Sequence, residues 1–145
     1  LGVCLGMQSI CAYFMVKEQA RTCGFTGPAV ELFERMKREK YFFPRPVSGH
    51  WVVPLTRTTV DAVKHPVHFA PQSRLSALLG RQETMGASMH NYRADHVPQG
   101  LQLAAWADDG CIEGVEGENI LGVQFHPEVD TVHLALFQAL ATGTL

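Results

Sequence analysis

The chain has 145 residues, 46% of them hydrophobic and 18% charged, which fits one globular domain with a real core. A formal charge of −2 and a pI near 6.4 give no electrostatic ground for nucleic acid or an anionic membrane surface as a partner. No stretch reaches the roughly 18 apolar residues of a membrane span, and no signal-peptide pattern opens the sequence.

In chain order, residues 1–3 read as the end of a strand, so the sequence is expected to be the C-terminal part of a larger domain. Residues 8–20 form an expected helix with Ile10, Cys11, Phe14 and Met15 on its apolar side. The segment 23–27 breaks it. Pro28 then suits the start of a second helix reaching about residue 41, with Val30, Phe33 and Met36 on one face. Within that helix, "KREK" after Glu31 and Glu34 reads as a solvated face. The proline-rich stretch from Phe42 reads as loop, with a short strand around residues 51–53.

From there the signals sharpen. "HPVHFA" is an expected strand, followed by Ser73 as N-cap of a short helix "RLSALL" that Gly80 closes. "TMGASMH" reads as a further strand. "LQLAAWA", "CIEGVEG" and "ENILGVQF" read as three more, joined by tight turns, and "TVHLALFQAL" as a final amphipathic helix. Alternating strands and helices predict an α/β layered fold.

Four cysteines, Cys4, Cys11, Cys23 and Cys111, lack both C-x-x-C spacing and the density of a disulfide scaffold, so a reducing, cytoplasmic setting is expected. Cys4 stands apart, because glycines flank it at −2 and +2 in "LGVCLGMQ". A nucleophile elbow holds its central residue in strained backbone geometry where strand and helix pass closely, which calls for small residues at those positions. The helix that follows aims its N-terminus at the thiol and favours negative charge there. The N–H of Leu5 is the natural first oxyanion donor. Packing remains the other reading of this cysteine.

The opposite end of the sequence holds "GVQFHPEV". His126 follows an apolar strand, and Glu128 lies two residues on across Pro127. That spacing suits a general base with its orienting carboxylate, and equally a surface histidine beside a glutamate. Seven histidines invite a metal reading, above all in "HPVH" and "HNYRADH". No H-E-x-x-H or C-x-x-C frame accompanies them, and no metal or cofactor is expected. Asp108, Asp109 and Gly110 read as a hairpin turn, and Trp106, Phe125 and Phe137 as core.

"GVCLGMQ" together with the late "GVQFHPE" resembles the class I glutamine amidotransferases, and "SRLSALLG", "ASMHNY" and "GLQLAAWADDGCIEGVE" resemble their gamma-glutamyl-gamma-aminobutyrate hydrolase branch. The resemblance implies a three-layer, flavodoxin-like α/β fold, here its C-terminal portion over residues 1–145. It implies a triad of Cys4, His126 and Glu128, with Gln8, Ser88, His90, Asn91 and Tyr92 toward the substrate. Ser88 and His90 match the branch pattern, whereas Leu5, Ala87, Asn91 and Tyr92 depart from it, and residues 17–60 match nothing. The implied activity is thiol-dependent hydrolysis of a small gamma-glutamyl amide. The alternatives are a glutaminase feeding ammonia to a synthase subunit, with a homodimer as another assembly, and a noncatalytic remnant of the same fold.

Overall fold

The structure, a computed structural model, describes residues 1–39, 45–51 and 59–145. Strand β1 (Gly2–Val3) runs into helix α1 (Leu5–Cys23) with a single residue between them. The helix thus begins three residues earlier than the apolar periodicity suggests. Gly24, at φ 63°, ends it; the N–H groups of Gly24 and Phe25 close on the carbonyls of Arg21 and Ala20.

Helix α2 (Ala29–Arg38) buries Leu32 and Met36, one turn apart, while Val30 is exposed. At 3.6 residues per turn Val30 lies about 200° round the axis from Leu32, so Val30 points to solvent, while Phe33 and Met36 of the expected face turn toward the core. The expected end near Tyr41 lies outside the described residues. Strand β2 (Arg45–Pro46) sits earlier than the strand expected at 51–53. Trp51 has no regular structure, and 52 and 53 lie outside the described residues.

Apart from a short strand at Tyr92–Arg93 that the sequence reading did not anticipate, the remaining elements follow the predicted order. They are β3 (Lys64–Phe69), α3 (Arg74–Leu79), β4 (Glu83–Ala87), β5 (Tyr92–Arg93), β6 (Gln102–Ala107), β7 (Ile112–Gly117), β8 (Ile120–Val123) and α4 (Leu134–Thr142). Ser73 caps α3 as expected, its hydroxyl accepting from the Ser76 N–H at 3.1 Å. The β6–β7 turn also follows its residues: Gly110 takes φ 78°, and the Asp109 carboxylate accepts from the Cys111 N–H at 2.9 Å.

Six strands form one sheet in the order β1-β8-β7-β6-β3-β4, and β2 pairs with β5 separately. Only β1 and β8 run parallel, with Gly2 opposite Gly122 and Val3 opposite Val123; the other pairs in the sheet are antiparallel. Met7, Cys11 and Met15 of α1 pack with Leu32 and Met36 of α2 on one face. Leu75 of α3 and Leu136 of α4 pack with Val67, Ala105, Leu121 and Phe125 on the other. The architecture is α/β with helices on both sides of a mixed sheet. Gly122 lets α1 approach β8, since a Cβ there would come within 2.8 Å of the Met7 side chain. No helix among the described residues is long and apolar enough to cross a membrane.

Candidate active site

Cys4 is the single residue between β1 and α1, and the turn has no room for relaxed backbone. Its φ of 50° and ψ of −107° lie outside the regions ordinary side chains favour, and it is the only non-glycine residue with positive φ among the described residues. The strain is held from both sides. The Cys4 N–H donates to the Val123 carbonyl at 2.8 Å, and its own carbonyl accepts from the Gln8 N–H at 3.1 Å. Leu5 is the first residue of α1, where backbone N–H groups have no partner within the helix.

The parallel pairing of β1 with β8 brings the two ends of the sequence together. Beyond Val123, the Gln124 N–H donates to the Glu113 carbonyl at 2.9 Å and the His126 N–H to the Ala87 carbonyl at 2.8 Å, which fixes the segment over the end of the sheet. The Nδ1 of His126 meets the Glu128 carboxylate at 2.6 Å. The other ring nitrogen, Nε2, is buried. Burial of the ring opposes its charge, but Cys4 and Glu128 outweigh it and raise the imidazole to about 8.

The other cysteines are in different surroundings. Burial pushes the Cys11 thiol up to about 12 and raises Cys111 as well, with Glu113 adding to the latter. Cys23 is exposed.

Gln124 is the residue that sequence reasoning missed. It is fully buried, donates to the Cys4 sulfur at 3.6 Å, and accepts from the Gln8 side chain at 3.1 Å. Gln8 also donates to the Tyr92 carbonyl at 2.9 Å. The signal was a lone polar residue inside the apolar run "LGVQF".

The expected 88–92 run is divided. Asn91 and Tyr92 are exposed, with the Asn91 carbonyl accepting from the Val47 N–H at 3.0 Å. Ser88 and His90 are buried and turn inward, where the Ser88 hydroxyl meets His50 Nδ1 at 3.1 Å, His65 Nε2 and His90 Nε2 at 3.3 Å. Burial lowers His50 from its ordinary value against the pull of Glu113. The structure therefore brings Cys4, Gln8, His126 and Glu128 to one end of the sheet, and sets Ser88 and His90 in a separate buried cluster joined to it through the Tyr92 backbone.

The sequence profile of the peptidase C26 family matches residues 1–128, from β1 to the far side of His126 and Glu128. The chain belongs to the peptidase C26 family. It lies within the class I glutamine amidotransferase superfamily. A presumed glutamine amidotransferase of Mycobacterium tuberculosis is 40% identical over 78 residues, 52% of this chain and 25% of that protein. Another, from Schizosaccharomyces pombe, is 26% identical over 132 residues, 88% of this chain and 42% of that protein. A Rickettsia prowazekii protein named as glutamine amidotransferase-like is 31% identical over 91 residues, 58% of this chain and 32% of its own. The peptidase C26 chain thus spans between a quarter and under half the length of these relatives. Among solved structures, a presumed GMP synthase component of Thermoplasma acidophilum aligns with a TM-score of 0.44 at 23% identity, covering 52% of this chain and 39% of that one.

Proposed function

We propose that this peptidase C26 domain hydrolyses a gamma-glutamyl amide, glutamine or a gamma-glutamyl amine, through Cys4, His126 and Glu128. The observation that carries the reading is the strained Cys4 at the head of α1, on the strand parallel to the one that delivers a His126–Glu128 pair at 2.6 Å. The Cys4 sulfur attacks the side-chain carbonyl carbon as its proton passes to His126 Nε2. The tetrahedral oxyanion is held by the Leu5 N–H. Collapse expels ammonia or an amine, which takes the proton from His126, and leaves a glutamyl thioester. Water then attacks the thioester, His126 accepts its proton and returns it to sulfur, and glutamate leaves. Glu128 keeps the proton on Nδ1, so that Nε2 is the nitrogen that exchanges it. Gln8 and Gln124 hold one another beside the sulfur, and Asn91 and Tyr92 are proposed to meet the amine part.

The test is release of ammonia or amine from glutamine and gamma-glutamyl amines, with trapping of a covalent adduct on Cys4. Cys4→Ala should abolish both. A Cys4→Ala protein retaining even a tenth of the wild-type rate would end this reading.

A second reading, ammonia supply to a partner synthase, is favoured by a groove beside the elbow. Leu5, Tyr13 and Val30 stand exposed there next to Ala12, Val16 and Phe33, an apolar surface of the kind that partners cover. Turnover that requires addition of the synthase would support it over a free-standing hydrolase.

A further inference from the structure

The buried cluster behind the 88–92 run has more acceptors than protons. His90 Nδ1 lies 2.9 Å from the Tyr92 carbonyl, His65 Nδ1 lies 3.0 Å from the Pro66 carbonyl, and His50 Nε2 lies 3.1 Å from an Asp109 carboxylate oxygen. Those oxygens only accept, so each ring nitrogen facing them carries the hydrogen and donates it. In the neutral rings the other three nitrogens, His50 Nδ1, His65 Nε2 and His90 Nε2, therefore present lone pairs. All three point into the same space.

Glu113 enters that space from β7. Its carboxylate is 0% exposed, and neither oxygen has a hydrogen-bond partner among the described residues. Its Oε1 lies 3.5 Å from His50 Nδ1, 3.6 Å from His65 Nε2 and 3.5 Å from His90 Nε2. The Ser88 hydroxyl brings one hydrogen to three ring nitrogens. A buried carboxylate facing three lone pairs is costly unless something positive lies between them.

The spacing says what fits. His50 Nδ1, His90 Nε2 and Glu113 Oε1 form a triangle with sides of 3.2, 3.5 and 3.5 Å. Zinc bonds of about 2.0–2.1 Å in tetrahedral geometry put neighbouring ligands about 3.3–3.4 Å apart. The Cys111 sulfur is also near, within 4.8 Å of the other three donor atoms. Each histidine already has the outer hydrogen bond to a carbonyl or carboxylate that orients metal-binding imidazoles.

We propose that His50, His90 and Glu113 hold a divalent transition-metal ion of the zinc class, its fourth position flanked by His65 and Cys111. The metal clamps the 48–51 segment and the 88–92 run to β3 and β7. Because the Tyr92 carbonyl accepts from both His90 and Gln8, it also steadies the run that borders Cys4. No metal frame shows in the sequence because the donors come from separate segments.

The test is metal analysis of the full chain, purified without a histidine tag, followed by titration of the apo protein with Zn²⁺ in competition with a chromophoric chelator. One equivalent of bound zinc is expected. His90→Ala and Glu113→Gln should each weaken binding at least about tenfold. His68→Ala, which removes a half-buried histidine paired with Asp108 elsewhere, should leave it unchanged. Replacement with Co²⁺ gives a second readout that needs no variant to fold, since it should show intense tetrahedral ligand-field bands. Folded wild-type protein without zinc affinity, weak water-rich cobalt spectra, or loss of binding in His68→Ala with retention in folded Glu113→Gln would each overturn the proposal.

Discussion

The two glycines beside Cys4 should respond in opposite ways to alanine. At Gly2 a Cβ would lie 2.6 Å from Ile10 Cδ1, which can rotate, but also 2.8 and 2.9 Å from the Gly6 carbonyl carbon and oxygen, which cannot. Relief requires β1 and the first turn of α1 to separate. Overpacking of that kind costs about 1–3 kcal/mol. At Gly6 a Cβ would meet nothing within 4 Å, and the residue lies in the first turn of a helix without positive φ. Gly6→Ala should therefore be neutral or stabilising by up to about 1 kcal/mol, through the entropy glycine loses on folding. The sequence reasoning that both positions must be small thus holds for Gly2 on steric grounds and fails for Gly6. Urea unfolding by circular dichroism measures both: Gly2→Ala should lower the midpoint at an unchanged slope, and Gly6→Ala should leave or raise it. A Gly2→Ala protein as stable as wild type, or a Gly6→Ala protein as damaged as Gly2→Ala, would refute the close-approach account.

His126→Ala should impair turnover about as much as Cys4→Ala, whereas Glu128→Gln should cost less, and steady-state rates of all three on glutamine decide the roles. His126 in the folded protein titrates at about 8, above its ordinary 6.5, so the stability it supplies is fully present below pH 6.5 and is lost as pH rises through 8. That shift corresponds to about 2 kcal/mol, and Glu128→Gln should shrink the fall in unfolding free energy between those pH values; a fall of equal size in that variant would exclude Glu128 as a cause. Tyr92→Ala should change the ratio of kcat/KM between glutamine and gamma-glutamyl amines by roughly 10- to 200-fold, and equal losses on all substrates would assign Tyr92 to the fold alone.

What was legible in the sequence shared one property: each signal was local. G-x-C-x-G marks a turn that only a strained residue can make, and H-P-E puts imidazole and carboxylate within one short turn. The Ser73 cap, Gly80 and the D-D-G hairpin are likewise written in consecutive residues. The misreadings came where an element is decided by distant partners. Helix α1 starts at Leu5 because Val123 and Gln8 clamp the strained Cys4, which periodicity does not encode. Val30 points outward because Leu32 and Met36 win the contact with α1.

The polar interior is the strongest case of that rule. Gln124 follows an apolar strand and looks like a minor irregularity until β1 pairs beside β8 and brings the Cys4 sulfur to it. Glu113 looks like the solvent-facing residue of an alternating strand, yet His50, His65 and His90 close over its carboxylate and it is fully buried. Once the sheet is assembled, a carboxylate in that position must find positive charge, and the elements around it supply three imidazoles from segments that no short motif connects. The same assembly leaves the Tyr92 carbonyl shared between His90 and Gln8. The geometry beside the elbow and the occupancy of the buried cluster are therefore coupled through that oxygen, and also through the Glu113 carbonyl that accepts from Gln124 and the Ala87 carbonyl that accepts from His126. A change that empties or fills the cluster should therefore reach the elbow by two routes, Gln8 through the Tyr92 carbonyl and Gln124 through the Glu113 backbone, and both side chains meet beside the Cys4 sulfur.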